Sequence, residues 1–329
     1  MNDSQNDESF VSDDRGIGAS RRPTIGFIGL GNMGIGMTRN LQRAGFDLVV
    51  NDVRRETAAE LVAAGARWAS SPAEVAASAD IVITMLPTPR IVRDVVFGAD
   101  GVLEGIPDGG TWIDMSTSVP EVAEEVRSRF PERNLNIVDA PVSGMSVGAA
   151  NGTLQIFVGA TTEQYQDIFP VLSAMGDPER ILHVGTAGAG YAVKLMINQL
   201  WFSHVIATAE VLAIGTAAGV DLDVLRRSLI ASPANSNFLE HDVLSILNDG
   251  DYDEGFAIKL ACKDLGLSID LARSVGMPSE LSALVEQIFV RAKRGYGDLA
   301  GEMTPFKLYE DLLGTELRLT SETLSGVAR

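Results

Sequence analysis

A lysine transfers protons near neutral pH only where water is kept from it, and Lys194 is set among apolar neighbours. It follows Gly188-Ala189-Gly190 and stands near the start of a stretch, Ala192 to Ala218, with no proline and one glycine, Gly215. Leu195, Met196, Leu200, Trp201, Phe202, Val205 and Ile206 surround it in sequence. In a partly dry cleft a lysine's pKa falls, and the group can then act as a general acid or base. Asn198 lies one helical turn on, so the two side chains share a face. The plain alternative for any single lysine is a solvated surface charge, and the apolar surroundings set Lys194 apart from the others.

A second candidate is a loop suited to an anion. In the run Gly29-Leu30-Gly31-Asn32-Met33-Gly34, the glycines fall between an apolar strand, Thr24 to Ile28, and a helical stretch. At this spacing the first permits a tight turn, the second clears a phosphate's path, and the third lets helix pack on strand. The helix start adds unpaired N–H groups and a positive dipole end. Three glycines alone also fit an ordinary turn. Here the next strand, Asp47 to Asn51, ends at Asp52, where a carboxylate can hold ribose hydroxyls. That carboxylate favours NAD because it repels a 2′-phosphate. Arg54 and Arg55 follow at once and keep NADP open as a second cofactor.

Two further segments, Met85-Leu86-Pro87 and Asp114-Met115-Ser116-Thr117, close apolar strands on the side where open α/β sheets bind ligands. In Asp139-Ala140-Pro141-Val142-Ser143-Gly144, Ser143 and Gly144 would present a hydroxyl and an unobstructed N–H, a pair suited to a carboxylate. The same run reads equally well as a glycine-rich connection. His183, His204 and His241 are scattered without a second ligand at metal spacing, so no metal is expected.

The elements that must position these residues follow from periodicity. From Pro23 onwards, apolar strands (Thr24–Ile28, Asp47–Asn51, Ile81–Met85, Thr111–Asp114, Asn136–Ala140, Leu154–Val158) alternate with helical stretches at Met37–Ala44, Arg55–Ala64 and Val119–Ser128. Near-continuous apolar runs such as Ile81-Val82-Ile83 suit parallel strands buried on both faces, and the alternation points to a doubly wound α/β domain. After Gly190 the strand pattern stops. Ala192 to Ala218 fits one helix of roughly 40 Å, apolar on nearly every face. A membrane span would place Asn198, Gln199, Ser203, His204 and Glu210 in lipid, so burial between domains or subunits is the better reading. Helices are expected at Asp221–Ile230, Asn237–Leu247, Phe256–Ser274 and Glu280–Arg294, with Asp221 and Ser279 as N-caps. The expected organisation is a disordered acidic tail over 1–22, a dinucleotide-binding domain over 23–187, and a long helix with an all-helical domain over 188–329.

Bulk composition bounds the rest. A net charge of -18 opposes nucleic-acid binding and means that local basic groups must draw in any anionic substrate. The single cysteine, Cys262, excludes an intrachain disulfide and fits a reducing cytoplasm. Asp3, Asp7, Glu8, Asp13 and Asp14 precede the first basic residue, a pattern of neither a transit peptide nor a secretory signal.

Together these segments resemble the β-hydroxyacid dehydrogenase family, which includes 3-hydroxyisobutyrate dehydrogenase and tartronate semialdehyde reductase. Four runs match in order: G-L-G-N-M-G, D-A-P-V-S-G, G-A-G-Y-A-V-K-L-M-I-N and the K-D-L-G-L beginning at Lys263. The resemblance implies an N-terminal Rossmann domain, a long connecting helix and an all-α C-terminal domain. It implies Lys194 as the catalytic lysine, Asn198 orienting the substrate, and Ser143 and Gly144 at the substrate carboxylate. It places the cofactor on the glycine loop with Asn32 and Met33, on Leu86, Pro87 and Thr117, and on Lys263, with Thr117 also bordering the substrate. The activity implied is hydride transfer between NAD and a 3-hydroxyacid, by a homodimer or homotetramer. Rivals are a semialdehyde reductase, an imine reductase or a non-catalytic cofactor-binding module; the last two commonly lack the lysine. A 6-phosphogluconate dehydrogenase would carry K-x-x-H-N, and Ile197 stands where its histidine would be. The chain departs from the family's S-G-G at Met145, and often-found asparagine is replaced at Ile197. Both changes favour a bulkier or less polar substituent on the hydroxyacid.

Overall fold

The computed structural model describes residues 22–253 and 255–319. The expected acidic tail, apart from Arg22, lies outside the described residues. The first half is built on a sheet whose strands are β1 (Ile25–Ile28), β2 (Leu48–Asn51), β3 (Arg67–Trp68), β4 (Ile81–Thr84), β5 (Thr111–Asp114), β6 (Asn136–Asp139), β7 (Val142–Ser143), β8 (Leu154–Gly159) and β9 (Gly176–Gly185). Their spatial order is β3-β2-β1-β4-β5-β6-β8-β7, with β9 paired to β8. The six strands from β3 to β6 are parallel and follow the order of a Rossmann domain. β8 runs antiparallel to β6 and β7, and β9 parallel to β8.

The unbroken apolar runs are explained by two cores, one on each face. Phe27, Ile83 and Ile113 point into one, and their neighbours Ile28, Val82 and Trp112 into the other. Successive strand residues face opposite ways, so a sheet covered on both sides needs apolar residues at both parities. The glycine loop ends where the helix Gly34–Arg43 begins, three residues earlier than the periodicity suggests.

The long helix runs Ala189–Ala217, 29 residues. By length and hydropathy alone it would cross a bilayer. Phe202, Val205, Ile206, Ala209, Leu212 and Ala213 instead join a third core with the helices Ile258–Ser274, Glu280–Tyr296 and Pro305–Leu313. Its polar groups are bonded within the protein: Trp201 Nε1 donates to Asp242 at 2.8 Å, and Gln199 to Ser282. Met196, Leu200, Val211 and Ile214 remain exposed along the other side, so the helix is not covered all round by its own chain.

Several local expectations are corrected. β3 and β7 have two residues each, too short for a period-two signal, and in β9 Gly176 and Ile181 alone are buried. The helix expected over Asn237–Leu247 is instead two π-helical turns, Phe238–Asp242 and Ser245–Asp249. The buried pair Phe238 and Val243 is five residues apart, and Val243 N–H bonds Phe238 O at 2.9 Å, which suits a π turn. Arg55–Ala58 is a 3₁₀ turn leading into the short helix Ala59–Ala63. Asp221 caps its helix by accepting from Val224 N–H at 2.9 Å, whereas the Ser279 side chain makes no capping bond.

The helical core rests on aromatic packing. Phe289 is fully buried and meets Phe202 of the long helix edge-on, with ring centroids 5.1 Å apart. Phe289→Ala is expected to cost about 3–5 kcal/mol, read from denaturant unfolding of variant and wild type. A loss below about 0.5 kcal/mol, the range of a surface substitution, would show that this contact does not hold the core.

Candidate active site

The glycine loop has the shape its spacing suggests. Gly29 takes φ +98°, and a side chain there would strike the Met85 carbonyl oxygen. At Gly34 a methyl would lie 1.9 Å from the Gly29 carbonyl oxygen, so helix and loop touch backbone to backbone. Over Gly31 there is open space for 4 Å, a cradle that a phosphate would fill. The Asp52 carboxylate is tied to this loop, accepting from Leu30 N–H at 2.7 Å and Arg54 N–H at 2.9 Å. The carboxylate is therefore fixed to the same turn whose cradle lies open over Gly31. These residues fit a dinucleotide.

The ends of β4 and β5 form the next wall. Leu86 N–H donates to Ser116 Oγ at 2.8 Å, which orders the Leu86-Pro87 turn. Lys263, on the helix Ile258–Ser274, reaches across to donate to Pro87 O at 3.0 Å and Thr117 O at 3.3 Å. The helical part thus grips both strand ends by one ammonium.

Beyond them Lys194 Nζ donates to Ser143 Oγ at 2.7 Å. Lys194 is 8% exposed. Burial pulls its pKa from 10.5 down to about 8; Asp264 opposes the fall and Lys263 adds to it. Asn198, expected to bear on the lysine, instead donates its Nδ2 to Asp264 Oδ2 at 2.7 Å. Asp264 Oδ1 is 3.0 Å from Lys263 Nζ, an ion pair out of hydrogen-bond alignment. One buried carboxylate therefore holds Asn198 and Lys263 together. Ser143 ends β7, and the chain then turns through Gly144 at φ 125° and Met145 at φ 57°. Asp100 and Asn134 are the other non-glycine residues at positive φ among those described. Asp and Asn tolerate this region, whereas methionine is strained in it.

Four residues that sequence reasoning passed over complete the arrangement. Asp264 is adjacent to Lys263 in the motif. Asp114 and Asp139 end β5 and β6 as register partners and are fully buried. Tyr191, one turn before Lys194, donates its hydroxyl to Asp114 Oδ2 at 2.7 Å. The available signal was a carboxylate closing each of two successive apolar strands.

Comparison with known proteins agrees with this architecture. The family model for the NAD binding domain of 6-phosphogluconate dehydrogenase matches residues 24–185. That for the NAD-binding region of NADP-dependent 3-hydroxyisobutyrate dehydrogenase matches 188–309. The chain is 35% identical to 2-(hydroxymethyl)glutarate dehydrogenase of Eubacterium barkeri, over 89% of this chain and 97% of that protein. It is 36% identical to the NAD-dependent L-serine dehydrogenase of Pseudomonas aeruginosa, over 83% and 94% respectively. Among solved structures it is similar to Mycobacterium tuberculosis 3-hydroxyisobutyrate dehydrogenase with L-serine, at TM-score 0.80 and 31% identity, covering 88% of this chain and 99% of that one. With a Rossmann sheet, a dinucleotide cradle and these relatives, the chain belongs to the β-hydroxyacid dehydrogenase family and is an NAD(P)-dependent oxidoreductase of hydroxyacids.

Proposed function

We propose that the protein oxidises a 2-substituted 3-hydroxypropanoate with NAD, or reduces the matching semialdehyde, using Lys194 as the proton-transfer group. The observation that carries this reading is the buried Lys194, 2.7 Å from Ser143 Oγ. The compounds named in the three relatives share a carboxylate whose neighbouring carbon bears a hydroxymethyl group. Ser143 and Gly144 receive the carboxylate, and Met145 contacts the substituent. Asn198, its amide fixed by Asp264, orients the hydroxyl, and Thr117 closes the site beside the nicotinamide. Gly29, Gly31, Asn32, Met33, Gly34, Asp52, Leu86, Pro87, Thr117 and Lys263 hold the cofactor. When bound, that cofactor would supply a hydride acceptor for the carbinol carbon or a hydride donor for the aldehyde. Neutral Lys194 takes the hydroxyl proton in oxidation, and protonated Lys194 gives it back in reduction. A lysine poised at about 8 keeps both forms accessible near neutral pH.

Residues 23–187 form the dinucleotide-binding unit, and the described residues from 188 to 319 the long helix with the helical unit. The separate cores and the junction between the family matches support that division. The exposed face of Met196, Leu200, Val211 and Ile214 pairs with a second copy of the chain, giving a homodimer or, by further pairing, a homotetramer. A cytoplasmic location is proposed on the single cysteine, Cys262, whose buried thiol is pushed up in pKa.

A panel of 2-substituted 3-hydroxypropanoates assayed for NADH formation tests the chemistry. Lys194→Ala is expected to lose about a hundredfold to ten-thousandfold in kcat. In the wild type, oxidation should rise through pH about 8, as the lysine loses its proton, and reduction should fall there. Full turnover in the variant would end the assignment. For the assembly, light scattering should give the mass of a dimer or tetramer, and a monomer would refute the pairing face.

A further inference from the structure

The segment from Asp139 to Ser143 touches the long helix twice. At its start, the Asp139 carboxylate accepts from the backbone N–H of Gly188 and from that of Tyr191, the latter at 2.9 Å. At its end, Ser143 Oγ accepts from Lys194 Nζ at 2.7 Å. Tyr191 and Lys194 are three residues apart, a rise of roughly 4.5 Å. The same short stretch of sheet therefore fixes both the helix end and the ammonium one turn above it.

The fit at this junction is close. A methyl at Gly190 would stand 2.4 Å from the Phe157 carbonyl oxygen and 2.8 Å from Asp139 Oδ2. Asp139 is fully buried, yet its donors are two N–H groups that a helix start leaves without intrahelical partners. A negative charge at that end also meets the helix dipole favourably. Behind it, Asp114 accepts from the Tyr191 hydroxyl at 2.7 Å, Ser116 Oγ at 2.6 Å and Thr84 Oγ1 at 2.7 Å. Ser116 Oγ in turn accepts from Leu86 N–H, so the cofactor wall and the helix end share one buried network.

We propose that Asp139 is a positioning residue for the reaction: its ionised carboxylate docks the N-terminus of the long helix and so sets where Lys194 Nζ stands. The proposal rests on Lys194 being the proton-transfer group. Asp139 is fully buried and its partners are helix N–H groups, so it acts through the helix. Its two bonds use one oxygen each, so a proton on either oxygen removes an acceptor from one N–H. The titratable groups that face it are Asp114 on β5 and Tyr191 on the long helix. Burial raises the Asp139 pKa to about 6 and keeps the Tyr191 phenol protonated. Asp139 is thus ionised at neutral pH and loses its grip as the pH falls through about 6.

The test is steady-state reduction of the semialdehyde across pH, comparing wild type, Asp139→Asn and Lys194→Ala, with NADH affinity measured by fluorescence titration. Wild-type kcat should fall on the acid side near pH 6. In Asp139→Asn that acid limb should vanish, kcat at neutral pH should drop about tenfold to a hundredfold, and NADH affinity should hold. A folded Asp139→Asn with wild-type kcat, or with its acid limb intact, overturns the proposal. Should asparagine at 139 prevent folding, Gly190→Ala decides, since its methyl would stand 2.8 Å from Asp139 Oδ2 and press the helix end off its dock. Lower kcat at unchanged NADH affinity supports the docking role, and unchanged kcat overturns it. If Lys194→Ala keeps turnover, the fault lies with the lysine assignment rather than with Asp139.

Discussion

The architecture turns on one junction, where the start of the long helix is buried against two carboxylates at the ends of neighbouring strands. Burying a carboxylate without partners costs several kcal/mol, so each must collect donors. Asp139 collects the helix N–H groups and Asp114 the hydroxyls of Thr84, Ser116 and Tyr191. The requirement is mutual: a helix start buried in a sheet also has orphan donors to satisfy. Each side supplies what the other lacks, and the helix can dock in one place.

That placement makes the chemistry of Lys194 what it is. Its fall from 10.5 to about 8 amounts to roughly 3 kcal/mol against the charged form, at about 1.4 kcal/mol per unit. The single bond to Ser143 is worth about 1 kcal/mol, too little to restore the ordinary value. Burial decides the protonation state, and Ser143 decides the direction in which the ammonium points. On the far side Asp264 ties Asn198 to Lys263, and Lys263 ties the helical core to the ends of β4 and β5. The long helix beside Lys194 and the ends of β4 and β5 are thereby cross-linked through side chains of one helix.

Much of this was legible in the residues. The alternation of apolar runs gave the parallel strands β1, β2, β4, β5 and β6, because a sheet covered on both faces leaves a strong signal, whereas the two-residue β3 left none. The glycine spacing located the cradle over Gly31, and the apolar setting of Lys194 foretold its burial. What escaped was whatever pairs across long separations. Asp114 and Asp139 read as strand ends, and nothing local says that Tyr191, 77 and 52 residues away, completes them. Asn198 was legible as a neighbour of Lys194 on one helix face, but its bond to Asp264 was not. The π turns after Asn237 were read as an α-helix because the buried pair five residues apart lies inside an otherwise helical pattern.

The most direct test of the account is the ionisation of Lys194 itself. A side-chain nitrogen titration of ¹⁵N-lysine-labelled protein by NMR, with the signal assigned by Lys194→Arg, would give it without reference to turnover. A midpoint of about 8 is the result this structure requires. A midpoint at the ordinary 10.5 would mean that the lysine is solvated, and the proton-transfer role built on its burial would fall.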